Sequence, residues 1–553
     1  MKKSFLFVVP RYAKKNEYYI FPYGLAYVSA NMKKHGFNVF TLNLCHHDDP
    51  VGQLVSEKIK AHNIDVVCTG AMSFHWAEVE EIVSTAKQVD PGIITIVGGA
   101  IITSDVQLAL ENMPIDYGVI GEGEETVVDL ADALCNDRDI TTVKGIGYLD
   151  SNKKICLNEP RPPIRDLDSL PFPDYEGLEF DKWLEIDWVE QPSIKGLLFD
   201  LNDRQRLAEI NTSRSCPFNC TFCFHPLGNK YRQRSLDNVF EEIEFLKEKY
   251  GITLINVLDE LFSKDEERIL EFATRIKQYN IKWMAQWRVD TVNAHIIQIV
   301  KDSNVLTLGL GVESLSNRVL KSMKKRITKE QIERAYEICD RIGVRTGSNI
   351  IFGDIAETED TIKESLDWWK THQQYDLLLG FIKAVPDSEI WRYAVSEGLV
   401  MDKKQFVRDK FPIINLTKID DKKFHRIKRE VFEINFRSKY ILEGEVLTSE
   451  KTPELYKGRE VFRFKVRCPI CSQISEYTYF KYSHLPYSHV LCKHCYKRLK
   501  ISTRCAFRDS LLTHMRSLLY SYMVVLTCIR MWDIPLFRSG IKRVRRLIGG
   551  VSG

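Results

Sequence analysis

The 553-residue chain has no apolar run of membrane-spanning length. Its most apolar long stretch, Leu518–Ile529, is broken by Tyr520, Ser521, Tyr522 and Thr527. The marks of a secretory leader are also missing, because the apolar run Phe5–Pro10 is short and no small-residue cleavage site follows it. A first buried strand is expected there instead. Strong net charge is absent: the formal charge is +3, and from Ile501 onward nine Arg and Lys stand against two Asp. The body ahead of that basic tail is close to neutral, which argues against nucleic acid as the main partner. There are no internal repeats or low-complexity segments. With no export signal, the 14 cysteines do not read as a disulfide framework, and a cytoplasmic protein is expected.

The cysteines are present but unevenly placed. Seven fall into two tight groups, at 216–223 and 468–495. Grouped cysteines in a reducing compartment usually bind metal, whereas the scattered ones read as buried structural thiols.

The length predicts roughly three to four domains. Over residues 1–145, β-rich runs at Phe5–Val9, Asn38–Leu42, Asp65–Thr69, Ile93–Val97 and Tyr117–Ile120 alternate with helical patterns. This predicts a doubly wound parallel α/β sheet whose ligand binds at the carboxyl ends of the strands. Those ends carry Pro10–Tyr12, Gly70–Ser73, Gly98–Ala100 and Gly121–Glu124, read either as a ligand cradle or as turn residues alone. Residues 146–206 are expected to be a linker, with Pro160, Pro162, Pro163, Pro171 and Pro173 leaving no regular element. Residues 207–400 repeat the β/α alternation in six units, with strands at Ala208–Thr212, Leu254–Leu258, Lys282–Gln286, Val305–Leu310, Arg345–Ile351 and Leu377–Ile382. A (β/α)6 partial barrel is expected, with its chemistry at the carboxyl ends of the strands. Residues 401–461 read as a charged helical extension, 462–500 as a small zinc-ribbon-like module with four cysteines, and 501–553 as a basic tail.

Cys216, Cys220 and Cys223 form a C-x3-C-x2-C motif in a loop just after the first barrel strand. Three thiolates can hold three irons of a cubane and leave the fourth iron open, as a catalytic site requires. The alternative is zinc, with His225 as a fourth ligand. Cys468-x2-Cys471 and Cys492-x2-Cys495 form two knuckles separated by 20 residues. They read as a zinc ribbon, the rival being an auxiliary iron–sulfur cluster. In the tail, Lys542, Arg543, Arg545 and Arg546 sit beside Ile541, Val544, Leu547 and Ile548. Either a basic helix makes weak contact with a membrane surface or an anionic partner, or a helix packs on the barrel with a solvated basic face.

The cysteine motif, with Phe222 before its last cysteine, resembles the radical S-adenosylmethionine superfamily over roughly residues 205–400. Further matches follow in order at the strand ends: Asp259-Glu260, Gln286-Trp287-Arg288, Gly311-Val312-Glu313-Ser314, Gly353-Asp354 with Glu357, and Val385-Pro386-Asp387-Ser388 in place of the usual Pro-Gly-Thr. The resemblance implies a [4Fe–4S] cluster on Cys216, Cys220 and Cys223. It also implies S-adenosylmethionine bound near Phe222, Asp259 or Glu260, Arg288, Glu313 and Ser314, a one-electron reductant protein and a small-molecule substrate. Phe222 is alternatively a plain core aromatic, and Glu313 alternatively a structural partner of Arg288 or Arg345.

Phe21–Tyr27 with Tyr23 and Gly24, Ser73, Gly98-Gly99, and Gly121-Glu122-Gly123-Glu124 are similar to the cobalamin-binding domain found ahead of many such enzymes. The Asp-x-His-x-x-Gly loop that ligates cobalt in cobalamin mutases is missing, since Pro10–Tyr18 holds no histidine; His75 is a lone exposed candidate. The favoured reaction is methyl transfer to an unactivated carbon. The alternatives are a radical cyclisation, rearrangement or oxidation with or without cobalamin, and a non-catalytic binding protein that keeps the fold.

Overall fold

The structure is a computed structural model that describes residues 3–186, 201, 205–437, 442–456, 458–480 and 487–502. The basic tail and its amphipathic reading lie outside the described residues, apart from 501 and 502. No helix among the described residues is long and apolar enough to cross a membrane.

The first domain alternates strands and helices: β1 Ser4–Val9, α1 Tyr23–Lys34, β2 Asn38–Asn43, α2 Val51–His62, β3 Val66–Gly70, α3 Trp76–Val89, β4 Ile94–Gly98, α4 Ala100–Thr103, α5 Val106–Asn112, β5 Tyr117–Val119 and α6 Glu124–Cys135. Residues such as Phe5–Val9 are buried on both faces, which is why these strands read as unbroken apolar runs. The sheet order is β2-β1-β3-β4-β5, extended by β6 Ile146–Leu149 and β7 Ile155–Leu157. β1 to β5 pair in parallel, whereas β6 and β7 add antiparallel. The boundary expected at residue 145 therefore moves to about 158. The last two strands are short and partly exposed, so their sequence carries little apolar signal.

The proline-rich linker is not structureless as expected. Helix α7 Phe180–Leu184 follows the prolines, and Tyr175, Phe180 and Trp183 stack into an aromatic core with Phe21 and Tyr23. Residues Tyr175 and Phe180 also meet Phe245 and Tyr250 of the barrel. The linker is thus a packed seam between the two domains.

The second domain contains β8 Leu207–Ile210, β9 Ser213–Arg214, β10 Arg232–Gln233, α8 Leu236–Tyr250, β11 Leu254–Val257, α9 Glu266–Gln278, β12 Lys282–Trp287, α10 Ala294–Lys301, β13 Val305–Leu310, α11 Asn317–Ser322, α12 Lys329–Ile342, β14 Thr346–Phe352, α13 Glu359–Thr371 and β15 Leu377–Phe381. β8, β11, β12, β13, β14 and β15 lie side by side in chain order and pair in parallel, forming the six-stranded open barrel the sequence predicts. Local signals set the helix ends: Ser235 caps α8, which stops at the left-handed Gly251, and a Thr328–Gln331 capping box starts α12.

Beyond the barrel come α14 Glu389–Ser396, α15 Lys403–Arg408 and α16 Asp421–Arg437. The helical extension ends there, not at 461. Next come β16 Glu445–Tyr456, β17 Arg459–Arg467 and β18 Ile474–Phe480, one antiparallel sheet, and then the hairpin of β19 Tyr487–Leu491 and β20 Arg498–Ser502. The charged sequence predicts helix over β16, but the structure has a strand there that is exposed over most of its length and so shows no apolar alternation. The module docks at the amino-terminal ends of the last barrel strands. Lys497 pairs with Asp340 of α12 at 2.6 Å, and Asp376, just before β15, pairs with Arg498 at 2.7 Å and Arg345 at 2.6 Å.

Candidate functional site

The loop bearing the first cysteine group is closed at its base by the two-residue ladder of β9 with β10, where Arg214 faces Arg232. Ser215 takes a left-handed backbone (φ 68°) that turns the chain into Cys216, and its hydroxyl donates to Leu227 O at 3.0 Å. Thr221, between Cys220 and Cys223, is pinned by backbone bonds to Met323 O and from Ile390 N. Cys216 and Cys220 are half-buried and Cys223 is exposed. Among the described residues, Cys468, Cys471, Cys492 and Cys495 are the one group with ligand atoms all within 4.8 Å of one another. The three loop cysteines do not converge to single-ion spacing, with or without His225, whose Nδ1 pairs with Glu260 Oε2 at 3.1 Å.

Cations surround the loop. Arg288 and Lys264 lie 3.6 and 3.9 Å from the centroid of the Phe218 ring, and Lys325 Nζ donates to Glu313 Oε1 at 2.8 Å. Glu313 thus pairs with Lys325, and not with Arg288 or Arg345, the partners of its alternative structural reading; those pair with Asp290 and Asp376. Lys325 sits within Lys324-Lys325-Arg326, which reads in sequence as a solvated run, so its burial was not foreseen. Asp259 is not available as a ligand contact, because it is buried and accepts from Thr212 N at 2.7 Å and Thr212 Oγ1 at 2.5 Å, fixing the end of β8. Glu260 is more exposed and faces His225. Ser314 is buried and accepts from Ser316 N. Phe222 packs at the edge of the apolar cluster shared by the two domains.

Alternation along the barrel strands reveals an open lumen. Met284 and Gln286, Thr307 and Gly309, Gly347, Asn349 and Ile351, and Leu378 and Gly380 are exposed or half-buried, while the residues between them are mostly buried. Glu209 of β8 is on the same register as Asn256 and Met284. Its carboxyl accepts from Tyr18 Oη at 2.8 Å and Phe21 N at 3.3 Å, tying the loop after β1 to the barrel. Burial pushes Glu209 up to about 7. Polar residues at alternate positions of a parallel strand were the available signal, since such strands are normally apolar on both faces.

In the first domain, the order β2-β1-β3 puts the topological switch point between β1 and β3. Tyr12 from the loop after β1 donates to Gly70 O at 3.0 Å and packs on His75, ring centroids 4.5 Å apart. His75 is largely packed, not solvated, with Nδ1 3.7 Å from Glu78. A Cβ on Gly70 would meet Gly98 O at 2.6 Å, and one on Gly99 would meet Ala71 O at 2.9 Å, so these glycines first serve backbone packing. Beside Gly121, in contrast, lies open space. Ser73 donates to Ala100 O at 3.2 Å. Gly24 is exposed at the start of α1, and Tyr23, expected against cobalamin, is buried in the interdomain aromatic core with Phe21 and Tyr175.

Glu122 and Glu124 are also spent elsewhere. Glu122 accepts from Arg214 Nη1 at 2.9 Å, Arg232 Nη1 at 2.8 Å and Ile164 N at 2.6 Å, and Glu124 accepts from Arg214 Nη2 at 2.6 Å. Burial would raise the Glu122 carboxyl, but the two guanidiniums overcome it and hold the group below its usual range. Both glutamates, expected against cobalamin, are interdomain ion pairs.

The second cysteine group closes on itself. Cys468 Sγ lies 3.7 Å from Cys495 Sγ, and Cys471 Sγ 3.6 Å from Cys492 Sγ. A zinc–sulfur bond of about 2.3 Å sets tetrahedron edges of about 3.8 Å, so the group fits a single tetrahedral ion.

Residues 12–131 match the B12 binding domain, and residues 210–368 match the Radical SAM superfamily. The chain is an enzyme of the radical S-adenosylmethionine superfamily with a cobalamin-binding domain in front, and its cofactors are a [4Fe–4S] cluster, S-adenosylmethionine and cobalamin. It is 29% identical over 389 residues to an uncharacterized methyltransferase of Pyrococcus horikoshii, covering 69% of this chain and 80% of that protein. It is 28% identical over 360 residues to the anaerobic magnesium-protoporphyrin IX monomethyl ester cyclase of Rubrivivax gelatinosus, covering 63% of this chain and 62% of that protein. A radical S-adenosylmethionine methyltransferase from Kitasatospora setae shares the fold, with a TM-score of 0.57 over 72% of this chain and 77% of that one at 17% identity.

Proposed function

We propose that the protein transfers a methyl group to an unactivated carbon of a small molecule. One observation carries this reading: the strand ends of the two domains share a single apolar cluster, with Ala71 and Phe74 from the first and Phe222, Ile351, Ile382 and Ala384 from the second. Two cofactors held at those ends would meet across one cavity. When bound, the cluster supplies the electron that cleaves S-adenosylmethionine, and cobalamin supplies a methyl carrier.

The chain's own residues bind and orient. Cys216, Cys220 and Cys223 hold the cluster and leave one iron open. Glu260 and Glu313 are the carboxylates placed to receive the amino group or ribose of S-adenosylmethionine, and Lys325 and Arg288 are the cations placed for its carboxylate. The first domain covers the mouth of the barrel and excludes water. Cys468, Cys471, Cys492 and Cys495 hold a structural zinc. A one-electron reductant protein and a cytoplasmic, oxygen-free setting belong to the same reading.

The likeness to the cyclase favours a second reading, a radical cyclisation or oxidation without methyl transfer. The intact three-cysteine loop weighs against a binding protein without catalysis. Anaerobic reconstitution with iron, sulfide and hydroxocobalamin, followed by S-adenosylmethionine under a strong reductant, separates the readings. Methyl transfer requires both 5′-deoxyadenosine and S-adenosylhomocysteine; 5′-deoxyadenosine alone would reject it in favour of the second reading.

A further inference from the structure

The cluster loop hangs from one ladder, and one rung of that ladder points two arginines at the same acid. Arg214 of β9 and Arg232 of β10 are cross-strand partners. Both reach Glu122, which stands at the carboxyl end of the fifth strand of the first domain. The side chains of Glu122, Glu124, Arg214 and Arg232 are 5%, 6%, 11% and 10% exposed, so the network is shielded from solvent. Glu122 also accepts from Ile164 N, while Arg232 donates to Ile164 O at 2.6 Å and to Ser215 Oγ at 3.3 Å. One carboxylate thus joins the first domain to the linker directly and, through Arg232, to the residue preceding Cys216. The apolar seam already holds the domains together. What charge-assisted bonds to two arginines add is fixed direction and distance.

We propose that Glu122, with Arg214, Arg232 and Glu124, is a positioning clamp that sets the cluster loop in register with the strand ends of the first domain, so that losing it uncouples cleavage of S-adenosylmethionine from methyl transfer. This rests on the methyl-transfer reading above. The two reactions need different parts of the protein. Cleaving the sulfur–C5′ bond with one electron from the reduced cluster would release methionine and a 5′-deoxyadenosyl radical, which becomes 5′-deoxyadenosine by taking a hydrogen atom from a substrate C–H bond or, without substrate, from a buffer or protein C–H bond; this needs the barrel alone. Forming S-adenosylhomocysteine breaks the sulfur–methyl bond, leaves the electron pair on sulfur and passes the methyl to reduced cobalamin, and needs both domains aligned.

Full-length protein loaded with cluster and cobalamin, and reduced with titanium(III) citrate, is given S-adenosylmethionine alone. In Glu122→Gln, S-adenosylhomocysteine is expected to fall about a hundredfold, while 5′-deoxyadenosine stays within about twofold and iron and cobalt contents are unchanged. Independently of turnover, the magnetic interaction between the reduced cluster and cob(II)alamin in the electron paramagnetic resonance spectrum is expected to change in the variant. Glu122→Asp, which keeps the charge, is expected to recover part of both. Arg232→Lys tests the same carboxylate from the other side should Glu122→Gln not fold. Equal loss of both products, or retention of both, with an unchanged magnetic interaction overturns the clamp. Absence of S-adenosylhomocysteine from the unsubstituted protein rejects the methyl-transfer reading instead, and the spectroscopic comparison still tests the clamp.

Discussion

The two cysteine sites occupy opposite ends of the same barrel and are built to opposite specifications. At the mouth, three thiols are spread along a loop that depends on neighbours for its shape: Met323, Ile390 and the paired arginines. At the base, four thiols sit 3.6–3.7 Å apart in pairs that each bridge the two knuckles. On the proposed reading the first site would leave a metal position open, with cations around it, whereas four thiolates at the second would leave none. A barrel strand of five to seven residues separates the levels by about 17–23 Å, too far for the base site to touch a substrate at the mouth. Placement and valence together assign chemistry to one end and support to the other.

Four substitutions would break or sharpen this contrast. Cys216→Ala is expected to abolish 5′-deoxyadenosine formation and lower iron while leaving one zinc per chain; residual cleavage would place the open iron elsewhere. Cys492→Ser should do the reverse, releasing zinc and costing on the order of 3–5 kcal/mol in denaturant unfolding, with iron and 5′-deoxyadenosine retained. Recovery of iron and sulfide from the second site would erase the contrast altogether. Asp376→Asn removes the carboxylate shared by Arg345 and Arg498. It is expected to cost about 3 kcal/mol without changing cleavage, because two largely buried guanidiniums lose their counter-charge.

The smallest effect belongs to Glu209, midway between the ends. Burial raises its carboxyl from 4.5 to about 7, so the folded chain holds more protons than the unfolded one between those values. Its stabilising contribution is full below pH 4.5, falls as pH rises and is gone above about 7. Relative to the unsubstituted protein, Glu209→Gln should therefore gain about 2 kcal/mol between pH 5 and pH 8. Melting temperatures of both proteins across that range check it, and a difference flat with pH would deny the burial effect.

The parallel strands were legible to within a residue or two because burial on both faces forces apolar runs that end in glycine or in charge. The cysteine motifs were legible because ligand spacing is local. Partnerships between distant segments were not. Nothing around Glu122 announces arginines about 90 and 110 residues away, and nothing around Glu313 announces Lys325. The same limit explains Asp259, whose partner Thr212 is 47 residues earlier. β16 escaped because an exposed hairpin arm needs no apolar face, and β6 with β7 because three or four residues carry too little pattern.

The bond between Glu209 and the loop after β1 also bears on how the chain is made. Synthesis delivers the first domain complete before β8 emerges, and β8 is the strand that Tyr18 and Phe21 grip. Each later barrel strand then adds beside its predecessor in the order of translation. The barrel can grow in one direction from a finished template, so each strand after β8 emerges with its first neighbour already in place.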